Sequence, residues 1–313
     1  MLTILSSPKP FQGHIGLIQR NAIGSWVRLS PRPQIILFGD SAGARDVVAE
    51  FGLEHVPAVE TNELGTPYLS ALIGSGERRA RNNLICYVNG DIILTEGLER
   101  ALQYTPALPP TFLMVSARIN LDVDVPILFD GDWRQQLRNR CETDGTTGDH
   151  TSIDFFLFSK GLYRDIPPLA IGRAWFDQWM IKAAAARGAV VDATPLRPIV
   201  HQNHGYAHVG GGRATVYQGL EADRNLAIYG GLPHSHTLLS CTHELGRDGK
   251  VRPVRFRKER ARARQFLWDI FVRRTSRLRH ALGVSRQLWR SNTTPTTTNS
   301  PMTTDQPKRG RDR

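Results

Sequence analysis

An apolar run, LICYV, ends at Asn89-Gly90-Asp91 and resumes at once as IIL, which puts an aspartate at a strand end where the backbone turns. Carboxylate oxygen in that position suits a hard cation such as Mg²⁺ or Mn²⁺, which keeps coordination positions open for substrate phosphates. A short carboxylate turn of this kind can hold a nucleotide diphosphate. An ordinary hairpin turn carries the same residue types, and the segment alone does not choose between the two. A second group lies in HQNHGYAH, where His201, His204 and His208 stand beside Gln202, Asn203 and Tyr206. Its spacing fits neither a helical HExxH nor a zinc-finger pair. Two further carboxylates stand out, Asp154 within SIDFFLF and Asp177 between Trp175-Phe176 and Trp179. Aromatic rings around Asp177 would shield it from water and raise its pKa, although a helix N-cap aspartate beside core tryptophans gives the same pattern.

The elements that position these residues follow from periodicity. The first half alternates short β-rich apolar runs with helix-like stretches, the pattern of a mostly parallel central sheet flanked by helices. Strands are expected at Leu2–Ser6, Gln34–Phe38, His55–Val59, Leu84–Val88 and Thr111–Ser116, with helices at Ile15–Leu29, Ala44–Phe51, Thr66–Arg81 and Thr95–Gln103. Ligands of such sheets bind outside the carboxyl ends of the strands. That marks Ser7-Pro8-Lys9, Gly39-Asp40 and Asn89-Gly90-Asp91 as one rim. Residues 117–150, rich in Asp, Gly and Asn, read as a long loop with little structure of its own. SIDFFLF reads as a strand, the Ala-rich end of GRAWFDQWMIKAAAARG as helix, AVVDATPLRPIVHQNHGYAH as strand-like, and GGRATVYQGLEADRNLAIYGG as a turn leading into a short helix.

Composition removes several function classes. The 313 residues carry a formal charge of +11. Of the 40 Lys+Arg and 29 Asp+Glu, 17 basic and 4 acidic residues lie beyond residue 250, which leaves 23 basic against 25 acidic in the body. A nucleic-acid groove in the folded part is disfavoured. No GxGxxG follows the first strand and no P-loop motif occurs, so a dinucleotide site or a P-loop has no support. The cysteines Cys86, Cys141 and Cys241 are far apart and suggest neither a zinc ribbon nor a disulfide framework. With no signal-peptide pattern and no long apolar run, a cytoplasmic protein is expected.

The segments SSPKPF, IQRNAIGSW, IILFGD, YVNGDIIL, SIDFFLF, WFDQW and DATPLRPIVHQNHGYAH occur in the order seen in bacterial and plant GT-A-type glycosyltransferases, the nucleotide-diphospho-sugar transferase-like proteins. The chain resembles that family over about residues 1–235. The resemblance implies a metal-assisted transfer of sugar from a nucleotide-diphosphate donor, UDP favoured, to a sugar, lipid-linked or protein acceptor. It puts Ser7 and Lys9 along the nucleoside and Asp40 on the base or ribose. Asp91 becomes a metal ligand with Asn89 where the family usually has a first aspartate, so the amide weakens the site. Asp154 would hold donor-sugar hydroxyls. Asp177 would be the base that takes the acceptor's proton if transfer inverts, and His201 or His204 would complete the Mn²⁺ or Mg²⁺ site. Arg78 and Arg81 suit phosphate oxygens, against a solvated helix face. Two other readings compete. A sugar-nucleotide pyrophosphorylase needs a Gly-rich basic loop after the first strand, which SSPKPFQGH is not. A catalytically inactive GT-A-fold protein tethered through its basic tail stays open.

Three segments are expected: a transferase domain over 1–250, a basic amphipathic helix over 251–290, and a disordered low-complexity tail over 291–313. An apolar stripe with flanking arginines would attach to an anionic membrane surface, or else pack back on the domain.

Overall fold

The computed structural model describes residues 1–205, 210–230 and 234–254. In chain order its elements are β1 (Leu2–Ser6), α1 (Gly13–Trp26), β2 (Gln34–Phe38), α2 (Ala44–Phe51), β3 (Glu54–Val56), α3 (Leu69–Arg79), β4 (Leu84–Val88), β5 (Ile92–Leu94), α4 (Glu96–Tyr104), β6 (Phe112–Val115) and β7 (Ile119–Leu121). They continue with α5 (Trp133–Thr143), β8 (Thr146–Thr147), β9 (Phe155–Ser159), α6 (Phe176–Ala185), β10 (Ala189–Asp192), β11 (Ile199–Gln202), α7 (Gly212–Gln218), α8 (Leu220–Tyr229), β12 (His243–Leu245) and β13 (Val251–Pro253).

The large sheet has the order β13-β12-β10-β6-β9-β4-β1-β2-β3, and β5-β11-β7-β8 form a smaller one. β1, β2, β3 and β4 are parallel neighbours, as are β6, β10 and β12, while β9 runs antiparallel between β4 and β6. The central strands are apolar almost throughout because both faces are covered. Alternate residues therefore enter different cores. Leu5, Ile36, Phe38, Ile85 and Tyr87 pack with Leu72 and Ile73 of α3 and Met180 and Ile181 of α6. Ile4, Ile35, Leu37, Cys86 and Val88 pack with Ile23 and Trp26 of α1, Val47 of α2 and Leu98 of α4. The mixed α/β fold with a large, mostly parallel sheet flanked by helices is thus as expected.

Three expectations need correction. Residues 117–150 contain β7, α5 and β8, and they build a third core of Ile119, Leu121, Trp133 and Leu137 with Ile93 and Val200. The helix escapes a periodicity reading because WRQQLRNRCET buries only Trp133 and Leu137, one turn apart, among charged residues. The strand read over Ser152–Phe158 starts at Phe155. The large sheet also runs on to Pro253, past the boundary expected at 250. The rest of the basic helical segment, the tail, Tyr206 and His208 lie outside the described residues. Among the described residues no disulfide joins the cysteines, and no helix is long and apolar enough to cross a membrane.

Candidate active site

The exits of β1, β2 and β4 form the carboxyl edge of the parallel strands, and the chemistry gathers there. After β1, Gln19 of α1 clamps the Lys9 backbone from both sides: Lys9 N donates to Gln19 Oε1 at 2.7 Å, and Gln19 Nε2 donates to Lys9 O at 2.8 Å. Gly90 lies against the same amide, since a Cβ there would sit 2.8 Å from Gln19 Oε1. The glycine is therefore a packing requirement of the Asn-Gly-Asp turn. Gly90→Ala is expected to displace the clamp and destabilise the protein by about 1 kcal/mol or more in urea unfolding. An unchanged midpoint would show that Gln19 swings aside freely.

Asp91 is 5% exposed, with Lys9 Nζ 3.2 Å and His204 Nε2 2.9 Å from its Oδ2. Lys9 Nζ is also 3.5 Å from His204 Nε2. β11 brings in His201 by register: it pairs antiparallel with Ile92, the residue after Asp91, and parallel with Asn120 of β7. Gln202 Nε2 locks the junction by donating to the Asp91 and Ile18 carbonyls at 3.0 and 2.7 Å. One ligating atom each from Asp91, His201 and His204 lies within 4.8 Å of the others. Asp91 Oδ1 and His201 Nδ1 are buried without a hydrogen-bond partner, an arrangement that is costly unless something else satisfies them. The His204 Nδ1 lies 2.7 Å from the Gly205 carbonyl. With the proton on Nε2, His204 donates to Asp91 Oδ2; with the proton on Nδ1, toward the Gly205 carbonyl, the Nε2 lone pair is free to ligate a cation beside that carboxylate. The residues present fit a divalent metal.

Electrostatics agree with this fit. Burial alone would push the Asp91 carboxyl up, but the Lys9 charge, the His204 hydrogen bond and the two imidazole charges hold it well below the usual carboxylate range. Burial is also the largest influence on His201 and lowers its pKa against the pull of Asp91 and Asp154, which favours the neutral, ligating imidazole.

Asp154 sits at the same edge because β9 is antiparallel to β4: Val88 pairs with Phe155, so the residue before β9 faces the residue after β4. Asn89 Nδ2 donates to Asp154 Oδ1 at 2.8 Å, Arg118 donates to Oδ2, and Tyr87 Oη donates to Asn89 Oδ1 at 3.3 Å. The amide at position 89 is thus accounted for by its partner, because it donates to Asp154 where a second carboxylate would repel it. Asp177 lies in the first turn of α6, whose Phe176 packs on Tyr87 and Phe156 with ring centroids 6.1 and 6.3 Å away. Burial pushes the Asp177 carboxyl up to about 7; the Gln178 backbone N–H works against that rise and the Asp154 charge adds to it. Trp175 enters the helix at φ 82°, a left-handed backbone rare for a bulky residue, with its ring 5.4 Å from that of His234.

Of the residues singled out in the sequence, Lys9, Asn89, Asp91, Asp154, His201 and His204 are brought together, with Asp177 close enough to Asp154 to feel its charge. Ser7 is at the rim, donating to the Phe38 carbonyl at 3.2 Å. Asp40 is exposed and already paired through both oxygens with Arg45, which lowers its pKa. Arg78 and Arg81 are not at this site. α3 ends where β4 begins, at the opposite edge of the sheet, and there Arg81 N donates to Gln34 at the start of β2 and its guanidinium pairs with Glu54. Sequence reasoning gave no role to Arg118, nor to Gln19 and Gln202, although these two lie inside IQRNAIGSW and HQNHGYAH.

No family model and no curated protein matches the chain. Solved structures do match, at low similarity. Residues 1–349 of S. aureus TarS in complex with UDP-GlcNAc are 11% identical over 66% of this chain and 60% of that one, with a TM-score of 0.44. Mannosyltransferase PcManGT from Pyrobaculum calidifontis, in complex with GDP-Man and Mn2+, is 12% identical over 64% of this chain and 56% of that one, with a TM-score of 0.38. The chain spans about 60% of the first of these and less of the second. Similarity this low leaves the chemistry to be read from the residues themselves.

Proposed function

We propose that this chain is a metal-assisted glycosyltransferase that moves a sugar from a nucleotide-diphosphate donor, UDP favoured, to a hydroxyl acceptor. The observation that carries the reading is the buried Asp91–His201–His204 cluster with its two unpartnered atoms, at the carboxyl edge of the sheet beside Lys9. A divalent ion held there would neutralise a diphosphate as it departs. Two imidazoles and one carboxylate favour Mn²⁺ over the harder Mg²⁺.

The chain's own groups divide the remaining work. Lys9 meets the diphosphate as a point charge. Asp154, fixed by Asn89 and Arg118, has lone pairs left for donor hydroxyls. Asp177 is the base in an inverting reaction: as the acceptor oxygen bonds to the anomeric carbon, its proton passes to the Asp177 carboxylate, and the sugar's bond to the diphosphate breaks with the electron pair leaving on phosphate oxygen. Trp175, beside that carboxylate, offers a ring for the sugar.

Lys9 supports a second reading. Its ammonium already stands against Asp91 Oδ2 and His204 Nε2, and a lysine so placed can supply the positive charge without a metal. Chelation separates the two. Donor turnover that stops with EDTA and returns with Mn²⁺ supports the metal reading, whereas turnover indifferent to EDTA and lost in Lys9→Ala supports the lysine. Absence of donor hydrolysis or transfer under either condition would favour the inactive binding protein. The basic segment beyond the described residues adds a proposal of peripheral attachment to anionic membranes, resting on sequence alone.

A further inference from the structure

A separate cavity of about 270 Å³ lies on the other side of β11. Val200 lines it and the next residue, His201, joins the metal cluster, and successive residues of a strand face opposite sides of the sheet. Ile119 of β7 and Leu137 of α5 continue the apolar floor, both buried in the third core. The rest of the wall carries five arginines against two carboxylates, Glu96 and Glu142. Arg134 and Arg138 line it but are paired with Glu99 and Glu96. Arg100 and Arg197 also line it, and among the described residues neither guanidinium makes a hydrogen bond or ion pair, while Arg247 uses only Nε, to the Pro195 carbonyl at 3.0 Å.

Arg197 bears a further mark. Its backbone is left-handed, at φ 51°, where glycine or asparagine would sit with less strain. Strain and an unpaired charge therefore coincide at the mouth of a preformed cavity with an apolar floor. We propose that this cavity binds an organic phosphate, with its apolar body on Ile119, Leu137 and Val200 and its dianionic head between Arg100, Arg197 and Arg247. Guanidinium forks match phosphate oxygens, and an enclosed apolar floor with a few convergent polar groups is the usual make-up of a small-molecule site. The strand between the two sites separates this ligand from a donor at Asp91.

The test is calorimetric titration of the metal-free full-length chain with 2-naphthyl phosphate, against inorganic phosphate and neutral 2-naphthol. Saturable one-site binding is expected for 2-naphthyl phosphate, with each half-probe weaker by about tenfold or more. The double variant Arg100→Gln/Arg197→Asn, in which asparagine keeps the left-handed backbone accessible, should weaken it by about 10- to 100-fold with an unchanged melting temperature. Asp91→Ala should bind as the wild type does. The proposal is overturned if 2-naphthyl phosphate does not saturate, if 2-naphthol binds equally well, if the double variant binds unchanged, or if Asp91→Ala abolishes the binding.

Discussion

Asp91→Ala is expected to lower sugar transfer by about 10²–10³-fold or more and to remove Mn²⁺-dependent nucleotide binding, while the protein remains folded. The carboxylate is the anionic member of the cluster, and its Oδ2 is the point on which Lys9 and His204 converge. Without it two imidazoles remain, and they neither balance the charge of a divalent ion nor hold Lys9 in place. The fold should survive because the groups left behind have alternatives: the Lys9 side chain is 34% exposed and can turn to water, and the turn itself is held through the Asp91 carbonyl by Gln202. Transfer assays with circular dichroism as a control check this. Wild-type activity in a folded Asp91→Ala protein would remove Asp91 from the chemistry.

Asp177→Asn is expected to lower transfer by about 10²–10⁴-fold and to leave donor binding intact, because it keeps the shape and removes the basicity. The wild-type rate carries a matching signature. With the carboxyl raised to about 7, the working carboxylate is lost as pH falls through that value, so kcat/KM should decline about tenfold per pH unit below it. That limb should vanish in Asp177→Asn. Stability moves in the opposite sense. The folded state holds the Asp177 proton more tightly than the unfolded chain, whose carboxyl titrates near the ordinary 3.8. The contribution of this group to stability therefore falls as pH rises from about 4 to about 7, by up to about 1.4 kcal/mol per unit. The asparagine variant has no such proton to lose and should melt higher than the wild type above pH 7. Equal loss of donor binding and transfer, or a variant that melts lower at pH 8, would make Asp177 a structural or substrate-holding residue.

Much of this site is legible in the sequence because it lies where alternation of elements ends strands. The limits of β1, β2 and β4 coincide with the apolar runs, so Lys9 and Asp91 fall at strand exits on one edge. Arg78 and Arg81 belong elsewhere for a reason of element order: a helix that feeds a strand delivers its last turn to the strand's beginning, away from the rim. The reversed direction of β9 is not legible, since an apolar strand reads the same either way, yet that direction is what sets Asp154 against Asn89. Nor is the pairing of β11 with β5, because AVVDATPLRPIVHQ gives no sign that β10 and β11 enter different sheets. The Arg118 contact is hidden for a similar reason, inside a stretch whose polar composition masks its short strands and helix.

One divalent ion should touch both the imidazoles of this chain and the diphosphate of a donor. Pulsed electron paramagnetic resonance of Mn²⁺ with the full-length protein and UDP reads both contacts together. Expected are ¹⁴N couplings from His201 and His204 along with ³¹P couplings from the nucleotide, with the nitrogen signal diminished in His201→Gln and in His204→Gln. Mn²⁺ that shows phosphorus but no protein nitrogen, or that does not bind in the presence of UDP, would contradict it.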